Sequence, residues 1–225
     1  MERELFRTLK VNSKEMQKLR TRSLLLRSAL NLMGENRSLD SLSLREVTRE
    51  AGVAPAAFYR HFQSIEELGL SLVDEVGIRI RSLLREAKEA PYRLALKETV
   101  EIFFQYVAGN RFHFSFISRE RLGGNRNIRH AIRREMSYIA KELSEGMKEF
   151  RNVPGLKIGE YEELSELIIS TMFNLAGEFL DVPRGDEEIK TRLLRKSVKQ
   201  LRLILRGALW NELKRIKKHG KIGNY

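Results

Sequence analysis

Between residues 43 and 62 the chain is punctuated for two short helices that must turn sharply against one another. Ser43-Leu44-Arg45-Glu46 sets a hydroxyl acceptor three residues ahead of a carboxylate, the capping box that opens a helix, and Leu44, Val47 and Ala51 form its inner stripe. Gly52 follows at once and supplies a positive φ; Pro55 suits the first turn of the next helix, where its missing N–H is not needed. Two short helices across a turn of about three residues make the helix-turn-helix pattern. The second helix, expected from Pro55 to Phe62, is about 12 Å long, close to the width of the DNA major groove. An advance of about 100° per residue puts Phe58 and Phe62 on one anchoring face and Ala56 and Arg60 opposite, with Ala57 and Tyr59 flanking. Small residues at 56 and 57 let the backbone approach base edges, and Arg60 can donate to guanine or to phosphate.

The rest of the chain is expected to be helical throughout, because only four prolines interrupt it and strand alternation is absent. Residues 1–17 form a basic N-terminal tail with a weak apolar pattern, either solvated and partly disordered or adding phosphate contacts. A first helix is expected from Lys18 to Met33, with Leu25, Leu26, Ala29, Leu30 and Met33 on one face and Gly34 ending it. Together with the short pair it completes a three-helix head over 18–63. A second capping box, Ser64-Ile65-Glu66-Glu67, opens a long linking helix to about Glu89, with Leu68, Leu72, Val76, Ile80, Leu83 and Ala87 facing inward. Further helices are expected over Tyr92–Ala108, Asn125–Phe150, Tyr161–Leu180 and Glu187–Lys218, with a less regular piece near Phe112–Arg121. The fold class is thus all-α, and 64–225 forms the larger helical domain.

Composition narrows the function. With no cysteine and four scattered histidines, the chain offers no disulfide, no thiolate chemistry and no local metal-ligand pair, so neither metal nor cofactor is expected. No apolar run reaches the roughly 18 residues of a membrane span and no signal-peptide core opens the chain, which makes the cytoplasm the expected location and membrane insertion unexpected. A net charge of +12 favours a polyanionic partner, although by itself it fits nucleic acid, anionic lipid or simple solubility. Catalysis is not expected, since no nucleophile elbow, phosphate-binding loop, dinucleotide fingerprint or His-Glu-x-x-His occurs. A purely architectural DNA-binding protein would not need a second hydrophobic domain of about 150 residues.

Leu42-Ser43-Leu44-Arg45-Glu46-Val47, Ala51-Gly52-Val53 and Phe58-Tyr59-Arg60-His61-Phe62 resemble the DNA-binding domain of TetR-family transcriptional regulators. Within that family, these segments with Glu67-Leu68-Gly69-Leu70, Ile117-Ser118-Arg119-Glu120-Arg121 and Phe179-Leu180-Asp181-Val182 are most similar to the FabR/DesT-type repressors of unsaturated fatty acid synthesis. The resemblance implies nine helices, a homodimer on a palindromic double-stranded operator, and an effector held in the larger domain. Tyr59 and His61 match phosphate-gripping positions, Ser43 sits at a helix start near the DNA backbone, Arg45, Ala56, Ala57 and Arg60 match groove-facing positions, and Pro55 at the start of the reading helix is also an expected DNA contact. Ile65 departs from the pattern, since many members carry a lysine there.

The same resemblance implies a long-chain acyl thioester as effector, acyl-CoA or acyl carrier protein, in control of fatty acid metabolism. The alternative is a regulator of efflux or catabolic genes that answers to another hydrophobic ligand. Candidate lining residues are Phe103, Phe104, Val107, Phe112, Phe116, Met136 and Met172, with Arg119 and Arg121 for an anionic head. By physics alone the aromatic residues also suit an ordinary core, and the two arginines suit salt bridges with Glu120 or Glu135. The last helix is strongly basic, which fits a solvated face, a dock for an acidic carrier protein or a membrane surface. Its stripe of Leu194, Val198, Leu201, Leu205, Ala208 and Leu209 suits packing against another helix, and with Leu164, Leu167, Ile168, Thr171, Met172 and Leu175 before it suits the four-helix dimer interface that the resemblance implies.

Overall fold

The structure, a computed structural model, describes residues 2–34, 36–89, 96–149 and 156–208. Every regular element among them is helical: α1 (Glu2–Met33), α2 (Leu44–Glu50), α3 (Pro55–Phe58), α4 (Ile65–Glu89), α5 (Leu96–Gly109), α6 (Arg111–Glu120), α7 (Arg126–Glu149), α8 (Ile158–Leu180) and α9 (Glu187–Ala208), with one 3-10 turn at Leu39–Ser41. No helix among the described residues is long and apolar enough to cross a membrane.

The expected stripe of α1 is the floor of the head: Leu25, Leu26, Ala29, Leu30 and Met33 are all buried. Gly34 ends the helix at φ +51°, its N–H reaching back to the Leu30 carbonyl at 2.9 Å. The helix starts at Glu2 rather than near Lys18. Residues 2–17 contain neither proline nor glycine and are mostly good helix formers, so nothing local stops α1 from extending outward.

α4 keeps a spacing of four, with Leu68, Leu72, Val76 and Ile80 buried, and continues to Leu84. The expected Leu83 is half-buried and Ala87 is exposed. α4 lies along α7, α7 packs on α8, and α9 closes the other side of α8, while α5 and α6 fill the space between. The segment expected to be irregular is the regular helix α6. Its Phe-His-Phe-Ser-Phe run has poor local helix propensity, but helical winding buries Phe114, Phe116, Ile117 and Glu120 together, and that tertiary gain prevails. The expected terminal residues Leu209, Lys214, Arg215, Lys217 and Lys218 lie outside the described residues, as does Tyr92.

Candidate nucleic-acid interface and effector domain

The reading head is built on its caps. Ser43 Oγ accepts the Glu46 N–H at 3.2 Å while a Glu46 carboxylate oxygen accepts the Ser43 N–H at 2.9 Å, so the expected capping box is complete. The Ser43 hydroxyl also donates to Glu46, at 2.9 Å. These hydrogen bonds from Ser43, with the Arg37 guanidinium at 3.3 Å, hold Glu46 below the usual carboxylate range. Gly52 turns the chain at φ +64°, a value a side chain would strain, and Pro55 stands in the first turn of α3. The second box is offset: Ser64 Oγ accepts from Glu67 N–H at 3.1 Å, but Glu67 takes the Gln63 N–H at 2.6 Å.

α3 is shorter than expected, ending at Phe58, yet the chain keeps coiling through residues 59–61, with Phe62 N–H on the Phe58 carbonyl at 3.0 Å. Phe58 and Phe62 are buried against each other with ring centres 5.6 Å apart, and Arg22 of α1 caps the Phe62 ring at 5.2 Å. With those anchors facing in, Pro55, Ala56, Tyr59 and Arg60 face out, as do Ser43 and Arg45 at the start of α2, while Ala57 and His61 are half-buried. Tyr59 is 63% exposed, unusual for an aromatic ring that has no task at the surface.

Burial together with Lys18, Arg22 and Arg60 pushes the His61 imidazole below the usual histidine range. The unfolded chain therefore takes up the proton first, so folding stability falls as pH drops through the ordinary histidine value. A phosphate beside His61 would offset those cations and raise its pKa, so the DNA complex binds the proton more readily than the free protein. Operator affinity is expected to tighten from about pH 7.5 to about pH 6, and His61→Gln to flatten that profile. A flat wild-type profile would remove His61 from the phosphate contacts.

In the larger domain the candidate lining residues are packed. Phe104, Val107, Phe116 and Met172 are buried, Phe103 and Met136 are half-buried against the same core, and Phe112 is at the surface. Phe104 stacks on Phe179 at 4.9 Å, and Phe114 meets Phe103, Tyr106 and Phe173 at 5.8–6.1 Å. Neither expected salt bridge forms at the arginines. Arg119 donates to the Arg37 carbonyl and Arg121 to Asn174 Oδ1, while Glu135 pairs with Arg81 and Glu120 accepts the Leu39 N–H at 2.9 Å.

The end of α6 is thereby fastened to the loop that leads into α2, a connection that composition and periodicity do not reveal. Ser118, which the sequence marks only as part of the resemblance at 117–121, has no expected role. Its Oγ, the Glu120 Oε2 and the Nε of Arg121, the residue just past α6, are buried with no hydrogen-bond partner among the described residues. Burial also lowers the pKa of Arg121 from the usual guanidinium range, a sign that its charge is poorly solvated.

The model for the N-terminal domain of bacterial regulatory proteins of the tetR family matches residues 25–72, and the Tetracyclin repressor-like C-terminal domain matches 93–205. The chain belongs to the TetR family. As a TetR-family protein it is a DNA-binding transcriptional regulator with a helix-turn-helix head. A transcriptional regulator of the TerR/AcrR family from Aquifex aeolicus VF5 shares the fold at TM-score 0.61 and 23% identity, over 82% of this chain and 99% of its own. The fatty acid degradation regulator FadR from Bacillus halodurans superposes at TM-score 0.64 and 17% identity, over 82% and 94% of the two chains. The transcriptional regulator FadR from Bacillus subtilis, solved in complex with stearoyl-CoA, does so at 0.59 and 19%, over 81% and 97%.

Proposed function

We propose that this TetR-family regulator binds a palindromic operator as a homodimer and releases or grips it according to a long-chain acyl thioester. The observation that carries the DNA half is the outward set of Ala56, Tyr59 and Arg60 over the buried Phe58 and Phe62. Arg60, with Arg45 and the small Ala56 and Ala57, reads base edges; Tyr59, His61, Ser43 and the start of α3 at Pro55 position the backbone. One short reading helix covers too few base pairs for specificity, and a two-fold pair doubles the site. The dimer face we assign is the outer side of α8 and α9, where Leu167 and Leu203 are more than half exposed beside Thr171, Asn174 and Gln200. Leu164, Met172, Leu175, Val198 and Leu201 of the expected interface are buried within the protomer instead.

The effector half rests on α6. Its inner face belongs to the aromatic interior, its end carries the spare donors of Ser118 and Arg121 beside the unpaired Glu120 Oε2, and that end grips residues 37–39. An acyl chain that parts α5, α6 and α8 displaces that end, and the spare donors receive the polar head. Only differential binding to the two arrangements controls DNA. The acyl reading is supported by the fold shared with the FadR of Bacillus subtilis, whose structure holds stearoyl-CoA. The alternative, a cationic or aromatic ligand, needs a carboxylate in this interior; Glu120 accepts the Leu39 amide through Oε1, while its Oε2 is buried with no partner among the described residues and is the one group there that favours such a ligand.

The test is operator affinity measured with acyl-CoAs of increasing length beside free CoA and cationic dyes. Each buried methylene contributes about 0.8 kcal/mol, so the response should sharpen with length until the space is filled. A response to free CoA equal to that of the long chains, or to dyes alone, would discard the lipid reading. On the DNA side, Tyr59→Phe is expected to weaken all sequences alike and Arg60→Ala to change the preferred sequence, at about 1–3 kcal/mol. Uniform loss in the second would move Arg60 to the phosphate contacts.

A further inference from the structure

On the side of α9 turned toward α5 runs a groove of about 660 Å³ that neither the DNA head nor the aromatic interior uses. Arg195, Lys199, Arg202 and Arg206 line it from α9, spaced four, three and four residues apart. At 1.5 Å per residue these cations span roughly 16 Å along the helix. All four are exposed, and none has an acidic partner among the described residues. Leu194 and Val198 give the groove an apolar floor, while Leu203 on the far side of the cations belongs to the dimer face assigned above. The α5 wall adds Lys97, which Glu101 neutralises at 3.4 Å.

We propose that this groove docks an acidic amphipathic helix of a partner protein. A partner helix with carboxylates at i, i+4, i+7 and i+11 repeats the spacing of the ladder, and its apolar flank lies against Leu194 and Val198. The distribution of charge selects this occupant. A phosphorylated small molecule gathers its charge at one end and leaves the far cations unmet, whereas here cations run the length of the groove. A second copy of this chain is already assigned to the neighbouring outer face of α8 and α9, and on a chain of net charge +12 it offers no acidic ladder to match this one. The chain's own residues 209–225 offer none either, with five lysines and arginines against Glu212.

The probe is a fluorescein-labelled helical peptide of about 18 residues, glutamates at i, i+4, i+7 and i+11 flanked by leucines, titrated by anisotropy against the full-length protein. A scrambled peptide of the same composition is expected to bind about ten-fold more weakly, and Lys199→Glu with Arg202→Glu to cost at least about ten-fold. A peptide with lysines in place of the glutamates should bind that variant better than the wild type. Operator binding by the variant checks that it is folded. Order-independent binding, or equal binding to the variant, would place the peptide elsewhere and overturn the proposal. So would anionic vesicles or tripolyphosphate that depend on Lys199 and Arg202 while the ordered peptide does not.

Discussion

Phe58→Ala is expected to lower stability by about 3–5 kcal/mol and to abolish specific DNA binding. α3 has four residues, its N-cap Ala54 provides no side-chain hydrogen bond, and no helix so short holds itself. What fixes it is the fully buried Phe58 ring, in contact with Phe62 and edge-on to Tyr59 at 5.9 Å. Truncation leaves a cavity under the reading surface and frees Ala56, Tyr59 and Arg60 from their common orientation. Against a total of roughly 5–15 kcal/mol the loss is large. Phe58→Leu, which keeps most of the volume, should cost under about 1.5 kcal/mol and retain binding. Urea unfolding beside operator titration checks both; an alanine variant that unfolds and binds like the wild type would mean that α3 is held by other contacts.

The second large effect is expected where α4 meets α7. Arg81 and Glu135 form a pair whose side chains are 20% and 10% exposed, with the guanidinium also over the Tyr138 ring at 5.8 Å. The Glu135 carboxylate lies directly on Gly77, where an added Cβ would stand 2.0 Å from its oxygen. That glycine is needed for the approach, not for its backbone freedom. Arg81→Met strands a largely buried carboxylate and should cost about 3–5 kcal/mol, while Arg81→Met with Glu135→Leu should be close to neutral. Thermal unfolding of the four-member cycle measures the coupling. Additive single losses would show that the two side chains act independently.

The head was legible because its signals are local. Ser43, Glu46, Gly52 and Pro55 each impose a backbone or capping requirement within four residues of themselves, and Phe58 and Phe62 separate inner from outer by helical geometry alone. The end of α3 was misplaced because residues 59–61 coil without continuing a regular helix, a distinction of one or two hydrogen bonds. α6 was missed as a helix because its aromatic run favours another local conformation and only burial against α5 and α8 reverses that. The partners of Arg119, Glu120 and Arg121 lie 53 to 82 residues away in the chain. No spacing rule reaches across such a gap, and the nearer Glu120 and Glu135 were the natural but wrong partners. The cation ladder was visible as a basic helix, but the groove beside it exists only once α5 is in place.

The grip of Arg119 and Glu120 on residues 37–39 has a mechanical meaning. A head joined only through α4 would swivel about that helix; pinned at a second point, it is left with one free motion, a rocking about the line through the two mounts. α4 is about 37 Å long, so a tilt of about 5° at one end moves the other by about 3 Å. Two heads on a symmetric operator must keep their reading helices about 34 Å apart, in register with one turn of DNA. On the reading proposed above, the intact second mount holds the gap and its release lets the heads drift out of step, so that the effector works as a latch on a calliper.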